Sequence, residues 1–255
     1  MRVLLTNDDG YLAEGLRALA RELAAWAEVW VVSPDRERSG SGRSITLHQP
    51  LRLTELVPPP GPGRWHLVNG TPTDCVNLAL HYVLAESPPD LVVSGINHGL
   101  NLGDDVSYSG TVQAACEAQH FAVPAVALSQ ELGDRSMADT AEVASELLRA
   151  LVEAGCPRRL LLNVNFPASP ISGLRWTRLG RRVYRDVVVA KTDPRGHAYY
   201  WLGGKPQWDD DPGTDQQAVL NGFVSVTPLR TASTDVEALP PLERLLAESW
   251  GSLLR

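Results

Sequence analysis

Lysine is almost missing from this chain: Lys191 and Lys205 are its only two, so arginine carries nearly all of the positive charge. No lysine stands before Lys191, which excludes a receiver-type signalling module, since such a module is far shorter than this chain and needs a lysine at a later strand tip. Cysteine is also scarce. Cys75, Cys116 and Cys156 are odd in number and lack metal-ligand spacing, so neither a disulfide framework nor a thiolate metal cluster is expected. They read as small buried residues in a reducing compartment. No run approaches the roughly 18 apolar residues that a membrane-spanning helix needs. Asp8 and Asp9 interrupt any apolar leader segment, so a cytoplasmic protein with no membrane partner is expected. An excess of basic charge is lacking too: 23 Lys and Arg stand against 30 Asp and Glu, a net charge of −7. A nucleic-acid polymer is therefore not an expected partner. A small anion remains possible, but a metal or a helix N-terminus must then hold it locally.

What is present is the material of a globular enzyme. The 255 residues are 44% hydrophobic and 21% charged, enough for a sizeable core. Residues 3–5 form a short apolar run, as in a strand buried on both faces, and Asn7-Asp8-Asp9-Gly10 follows at once. A strand thus ends with two adjacent carboxylates on its C-terminal tip, although Asp-Gly is also a common turn pair. Crowded carboxylates repel unless positive charge sits between them, and a divalent cation is the evident candidate.

Along the chain, residues 16–26 have helical spacing and 29–32 form a second strand. The loop 35–44 is rich in Arg, Ser and Gly, and a stiff proline-rich turn joins hairpin strands at 51–57 and 65–68. Thr71-Pro72-Thr73-Asp74 opens a helix with a hydroxyl cap, an early proline and an acid at the positive dipole end. Residues 90–94 are the next strand, and a loop from Gly95 through Asn97 to Gly103 leaves its tip. Ser109-Gly110-Thr111 leads into a helix over 112–120, followed by a strand at 124–129, a helix at 138–154 and a strand at 160–164. This alternation predicts a doubly wound, mainly parallel, Rossmann-like α/β sheet to about residue 167.

After residue 173 the texture changes to short strand patterns at 174–179, 183–190 and 198–202, with a last strand at 223–227 and a terminal helix at 239–254. A single domain over 1–255 is expected, its α/β core at 1–167 and a β-rich C-terminal extension at 173–255. The acidic run Asp209-Asp210-Asp211 reads as a solvated loop. Tyr199, Tyr200, Trp201 and Trp208 are many aromatics for such an arm, which points to packing on another subunit.

Three strands therefore end in polar loops that converge on one sheet edge: Asp8 and Asp9, the loop with Ser39, and Asn97. Together they offer carboxylates, a hydroxyl and an amide, hard oxygen donors suited to Mg²⁺ or Mn²⁺. The helix start at Ser109-Gly110-Thr111 is placed to offer backbone N–H groups to a phosphate.

The same loops carry a resemblance. The segments at 3–10, 34–40, 70–75, 94–97 and 101–112 resemble the SurE family, as do Asp193-Pro194-Arg195-Gly196, Gly213-Thr214-Asp215 and residues 222–229. The match runs in order over nearly the whole chain. It implies a metal-dependent phosphatase acting on nucleoside 5′- and 3′-monophosphates, and in some members on short polyphosphate, with one divalent ion per subunit. It also implies that the metal ligands, and with them the catalytic centre, fall on Asp8, Asp9, Ser39 and Asn97. Phosphate-side residues fall on Asn7, Gly40, Ser109, Gly110 and Thr111. A homodimer or homotetramer assembled through the C-terminal part is implied as well. Glu14 and Ala118 depart from the family's usual proline and glycine, and neither is a proposed ligand. Two rival readings differ in chemistry. An aspartyl-phosphate phosphatase would want Asp-x-Asp after the first strand, and a nucleotide-sugar transferase would bind nucleotides without releasing phosphate from a monophosphate.

Overall fold

The structure, a computed structural model, describes residues 1–185, 188–202, 205–208 and 211–231. The terminal helix expected at 239–254 and the pair Asp209-Asp210 lie outside the described residues.

The chain opens with β1 (Arg2–Thr6), α1 (Glu14–Leu23) and β2 (Glu28–Pro34), then the short β3 (Leu53–Glu55) and β4 (Arg64–Val68). There follow α2 (Pro72–Leu78), β5 (Leu91–His98), α3 (Gly110–Ala118), β6 (Ala125–Gln130), α4 (Met137–Glu153) and β7 (Leu161–Phe166). Six of these strands run parallel in the order β4-β2-β1-β5-β6-β7. In sequence rank that order is 3-2-1-4-5-6, the arrangement of a doubly wound dinucleotide-type sheet. The expected fold class is present.

Strict alternation along β1 explains its two-sided burial. Val3 and Leu5 pack with Leu16 and Leu19 of α1 and Leu148 of α4 on one face of the sheet. Leu4 packs with Val76 of α2 and Val112 and Ala115 of α3 on the other. A strand with apolar residues at every position satisfies both helical layers, which is why it reads as a continuous run.

The helix starts are built as the sequence suggested. Thr71 Oγ1 accepts from the Asp74 N–H while Asp74 accepts from the Thr71 N–H, a reciprocal capping box with Pro72 at the first position. Asp74 is 3% exposed and also holds the incoming loop, accepting from Thr46 N at 2.9 Å and Thr46 Oγ1 at 2.6 Å.

Beyond β7 the chain does more than form an arm. β8 (Gly173–Trp176) and β13 (Phe223–Pro228) both join the main sheet. β13 lies between β7 and β8, antiparallel to β7 and parallel to β8, and its Val224 and Val226 are buried in the core. The expected core boundary at 167 therefore cuts through the sheet. Among the described residues two separate ribbons remain outside it: β10 (Val188–Thr192) with β11 (Ala198–Leu202), and β9 (Arg182–Arg185) with β12 (Lys205–Trp208). The helix α5 (Asp215–Leu220) returns the chain to β13, anchored by buried Asp215, which accepts from Gly103 N and Gly180 N, each at 2.8 Å.

Candidate functional site

In an open sheet of this order, the crevice for ligands lies outside the carboxyl ends of the strands where the winding reverses, between β1 and β5. Every strand tip singled out from the sequence ends at or beside that crevice.

At the tip of β1 the chain turns through Asn7. Its Nδ2 donates to Gly10 O at 2.8 Å and its Oδ1 accepts from Ser33 Oγ at 2.7 Å. Asn7 is fully buried with both ends of its amide used, so it braces the turn from behind and does not face the cavity. Gly10 completes the turn at a φ of 89°, where a Cβ would also lie 3.0 Å from the Arg36 carbonyl carbon. The turn presents Asp8 and Asp9 side by side.

Asp8 is 4% exposed, and Thr111 Oγ1 donates to its Oδ1. Burial is the main influence on its carboxyl and pushes it up to about 6; the Thr111 bond works against that, and the charge of Asp9 adds to it. Asp9 is pushed upward too, first by burial and further by Glu37, with the His98 N–H at 3.3 Å opposing. Among the described residues no ion pair relieves either acid. Arg38, the nearby arginine on this loop, points its guanidinium at Asn69 O and Asp35 instead.

The loop between β2 and β3 is drawn over the acids by its own backbone. Arg38 N donates to Asp8 O at 2.7 Å, and Gly42 N donates to Tyr108 O at 3.0 Å. Arg43 pairs with Glu117 of α3 at 2.9 Å. Ser39 thereby reaches the cavity, its Oγ donating to Glu37 Oε1 at 2.8 Å, with oxygen lone pairs left to accept or coordinate. On β5, the register against β6 slips between Ser94 and Asn97. Such a bulge re-aims the residue that follows it. Asn97 lines the cavity, and since its Nδ2 donates to Gly99 O at 2.7 Å, its Oδ1 is the end left for a ligand.

The third component is the start of α3. Ser109 caps it, accepting from Val112 N at 3.1 Å, and lines the cavity. Gly110 is pressed against Asp8: a Cβ there would lie 2.8 Å from Asp8 Oδ2 and 2.9 Å from Ser41 Oγ. Only a glycine lets the helix come this close. The positive end of α3 thus lies directly on the acid turn.

Of the nine residues singled out from the sequence, Asp8, Asp9, Ser39, Gly40, Asn97 and Ser109 line one cavity of about 1400 Å³. Asn7, Gly110 and Thr111 stand behind its wall, as brace, contact surface and hydrogen-bond donor to Asp8. The sequence reading missed Glu37, Asp105, Tyr108 and the stretch from Gly133 to Met137, which also line it. Glu37 lay inside the run 34–40, and Asp105 and Tyr108 inside the run 101–112; residues 133–137 carry no local signal.

The donor set suits a hard divalent cation. Among the described residues no three His, Cys, Asp or Glu side chains form a metal cage. A cation here would draw on two carboxylates, which burial disfavours as bare anions, and on the neutral oxygens of Ser39 and Asn97. Such a set leaves coordination positions for water and substrate.

The comparisons agree with this geometry. Residues 3–186 match the family model described as Survival protein SurE. The chain is 52% identical over 238 residues to a protein of Anaeromyxobacter sp. (strain Fw109-5) named 5′-nucleotidase SurE, covering 92% of this chain and 91% of that one. A 5′-nucleotidase SurE of Vibrio parahaemolyticus is 47% identical over 253 residues, covering 97% and 95%. The crystal structure of the SurE protein from Aquifex aeolicus superposes with a TM-score of 0.84 at 37% identity, over 96% of this chain and 99% of that one.

Proposed function

The chain belongs to the SurE family, and from that premise we propose that it is a 5′-nucleotidase: a metal-dependent phosphomonoesterase that converts nucleoside 5′-monophosphates to nucleoside and phosphate. The observation that carries the metal dependence is the pair Asp8 and Asp9. Both are pushed toward protonation, and they share a cavity with Ser39 and Asn97 beneath the start of α3. Nucleoside 3′-monophosphates and short polyphosphate extend the proposed substrate range, since the same phosphoryl-binding elements would serve them.

In this reading Asp8, Asp9, Ser39 and Asn97 hold one Mg²⁺ or Mn²⁺ per subunit. When bound, that ion supplies positive charge to a phosphoryl oxygen and makes a water more acidic. The protein's own contribution is placement. Thr111 fixes the orientation of Asp8 through its hydroxyl. Gly110 brings the positive end of α3 against the same carboxylate, and Ser109, at the start of that helix, lines the cavity where the phosphoryl group would sit. The backbone bond from Arg38 to Asp8 keeps Ser39 and Gly40 over the site. His98 is exposed and lines the same cavity.

We place the chain as one functional unit, cytoplasmic, with no nucleic-acid polymer and no membrane as partner. No helix among the described residues is long and apolar enough to cross a membrane. A homodimer or homotetramer is proposed on the exposed β10–β11 ribbon, where Val188, Tyr200 and Trp201 are 58%, 65% and 63% exposed.

Phosphate release from AMP and GMP, with Mg²⁺ or Mn²⁺ and then with chelator, tests the activity. The expected result is metal-dependent release that falls at least about a hundredfold in Asp8→Asn, as for loss of a group that organises the reacting centre. No release from any nucleotide by a folded sample would overturn the proposal in favour of the transferase reading.

A further inference from the structure

One wall of the cavity is not used by the proposed chemistry. Gln130, the last residue of β6, and Arg135, just before α4, both line it. Gln130 is 2% exposed. Its Nε2 donates to Arg135 O at 2.6 Å, and only a nitrogen can donate to a carbonyl, so this bond fixes which end of the amide is which. The other end, Oε1, is buried without a partner. Arg135 donates through one terminal nitrogen to Ser169 O at 3.2 Å, and its Nε is likewise buried without a partner. A buried acceptor and a buried donor are thus left unsatisfied on two residues, five apart in sequence, that line one cavity. Such atoms are rare in folded proteins, and each wants a ligand group.

Their place in the sheet says which part of a substrate meets them. Gln130 pairs in register with His98, one residue past Asn97. The order β1-β5-β6 puts its strand two positions from the acid turn, about 10 Å at the usual spacing of strands. A nucleoside monophosphate with its phosphoryl group at Asp8 and Asp9 spans that distance and brings its base to this wall. Bases offer what the wall lacks: an N–H donor next to a ring or carbonyl acceptor, as in the N6–H and N7 of adenine.

Resting on the nucleotidase reading above, we propose that Gln130 and Arg135 form the nucleobase subsite, Gln130 Oε1 accepting a base N–H and Arg135 Nε–H donating to a neighbouring base acceptor. Gln130 is then a specificity-determining residue and takes no part in the phosphoryl chemistry.

The test compares AMP, purine riboside 5′-monophosphate (which lacks the 6-amino group) and ribose 5-phosphate on wild type and Gln130→Met, with Mg²⁺ present. For wild type, KM is expected to be about tenfold lower for AMP than for the purine riboside compound, one net hydrogen bond at about 1.4 kcal/mol. In Gln130→Met that preference disappears through a higher KM for AMP, with kcat unchanged. KM and kcat for ribose 5-phosphate stay at the wild-type value, which also reports that the variant is folded. Arg135→Met is expected to show the same KM-only loss for AMP. Equal KM for AMP and purine riboside 5′-monophosphate in wild type overturns the subsite, as does an equal loss for ribose 5-phosphate in the variant. Failure of wild type to release phosphate from all three instead overturns the nucleotidase reading itself.

Discussion

At the scale of single residues, Asp8 is held where an acid is least comfortable. Its carboxyl is pushed from 3.8 to about 6, so the folded chain keeps that proton more tightly than the unfolded chain does. The stability this gives is fully present below pH 3.8 and is lost as pH rises through about 6. Above that range, in chelator, the ionised and buried group costs on the order of 3 kcal/mol. Asp8→Asn is therefore expected to be more stable than wild type in chelator at pH 8, by up to about that amount, and equal to it near pH 4. Urea denaturation at the two pH values checks this; a variant less stable at pH 8 would contradict the account. The residue proposed to organise the reacting centre is thus the one that costs stability, a common bargain at catalytic sites. These two acids were legible in the sequence because an apolar strand stopping at Asn-Asp-Asp-Gly leaves few other arrangements. The role of Asn7 was not, because bracing and binding use the same amide, and only the positions of Ser33 and Gly10 decide between them.

At the scale of elements, the loop carrying Ser39 is held at both ends. Arg38 N ties it to β1, and Asp74 ties it to the start of α2 through both Thr46 N and Thr46 Oγ1. Asp74→Ala removes these bonds together with half of the capping box. It is expected to cost about 2–4 kcal/mol in denaturation. Since Asp74 has no contact with the cavity, any effect on catalysis must pass through the loop, so a severalfold rise in KM for AMP is the diagnostic result. Lost stability with unchanged KM would show that the loop is held elsewhere. The cap itself was readable from Thr71-Pro72-Thr73-Asp74, because capping is local. The second duty of Asp74 was hidden, since it joins positions 28 residues apart. Asn97 shows the same divide: its strand tip is local and was expected, whereas the bulge that aims it depends on the register with β6. Gln130 escaped notice because a glutamine ending an apolar strand looks like any polar stop.

At the scale of the whole molecule, the parallel order from β4 to β7 follows from the alternation of strands and helices, which sequence periodicity reports well. The place of β13 does not, since nothing within residues 223–228 names its neighbours. A chain ended after residue 172 keeps every residue of the proposed metal and phosphate site. It nevertheless loses β8 and β13 and bares the edge of β7, whose residues 161–166 are all buried. It is expected to aggregate on expression, where the full chain stays in the supernatant. A soluble fragment with AMP-hydrolysing activity would show that the core closes without its last strand.

The insertion of β13 beside β7 also bears on how the protein is made. The strand that completes the sheet emerges from the ribosome some sixty residues after the edge it covers, β7 at Leu161–Phe166 and β13 at Phe223–Pro228. Throughout that interval the nascent chain presents an uncovered apolar edge to the surrounding protein. The ribbons between these two strands set the length of the delay. Synthesis of this enzyme is therefore most exposed to misassembly late in translation, after every residue of the proposed site is already in the chain.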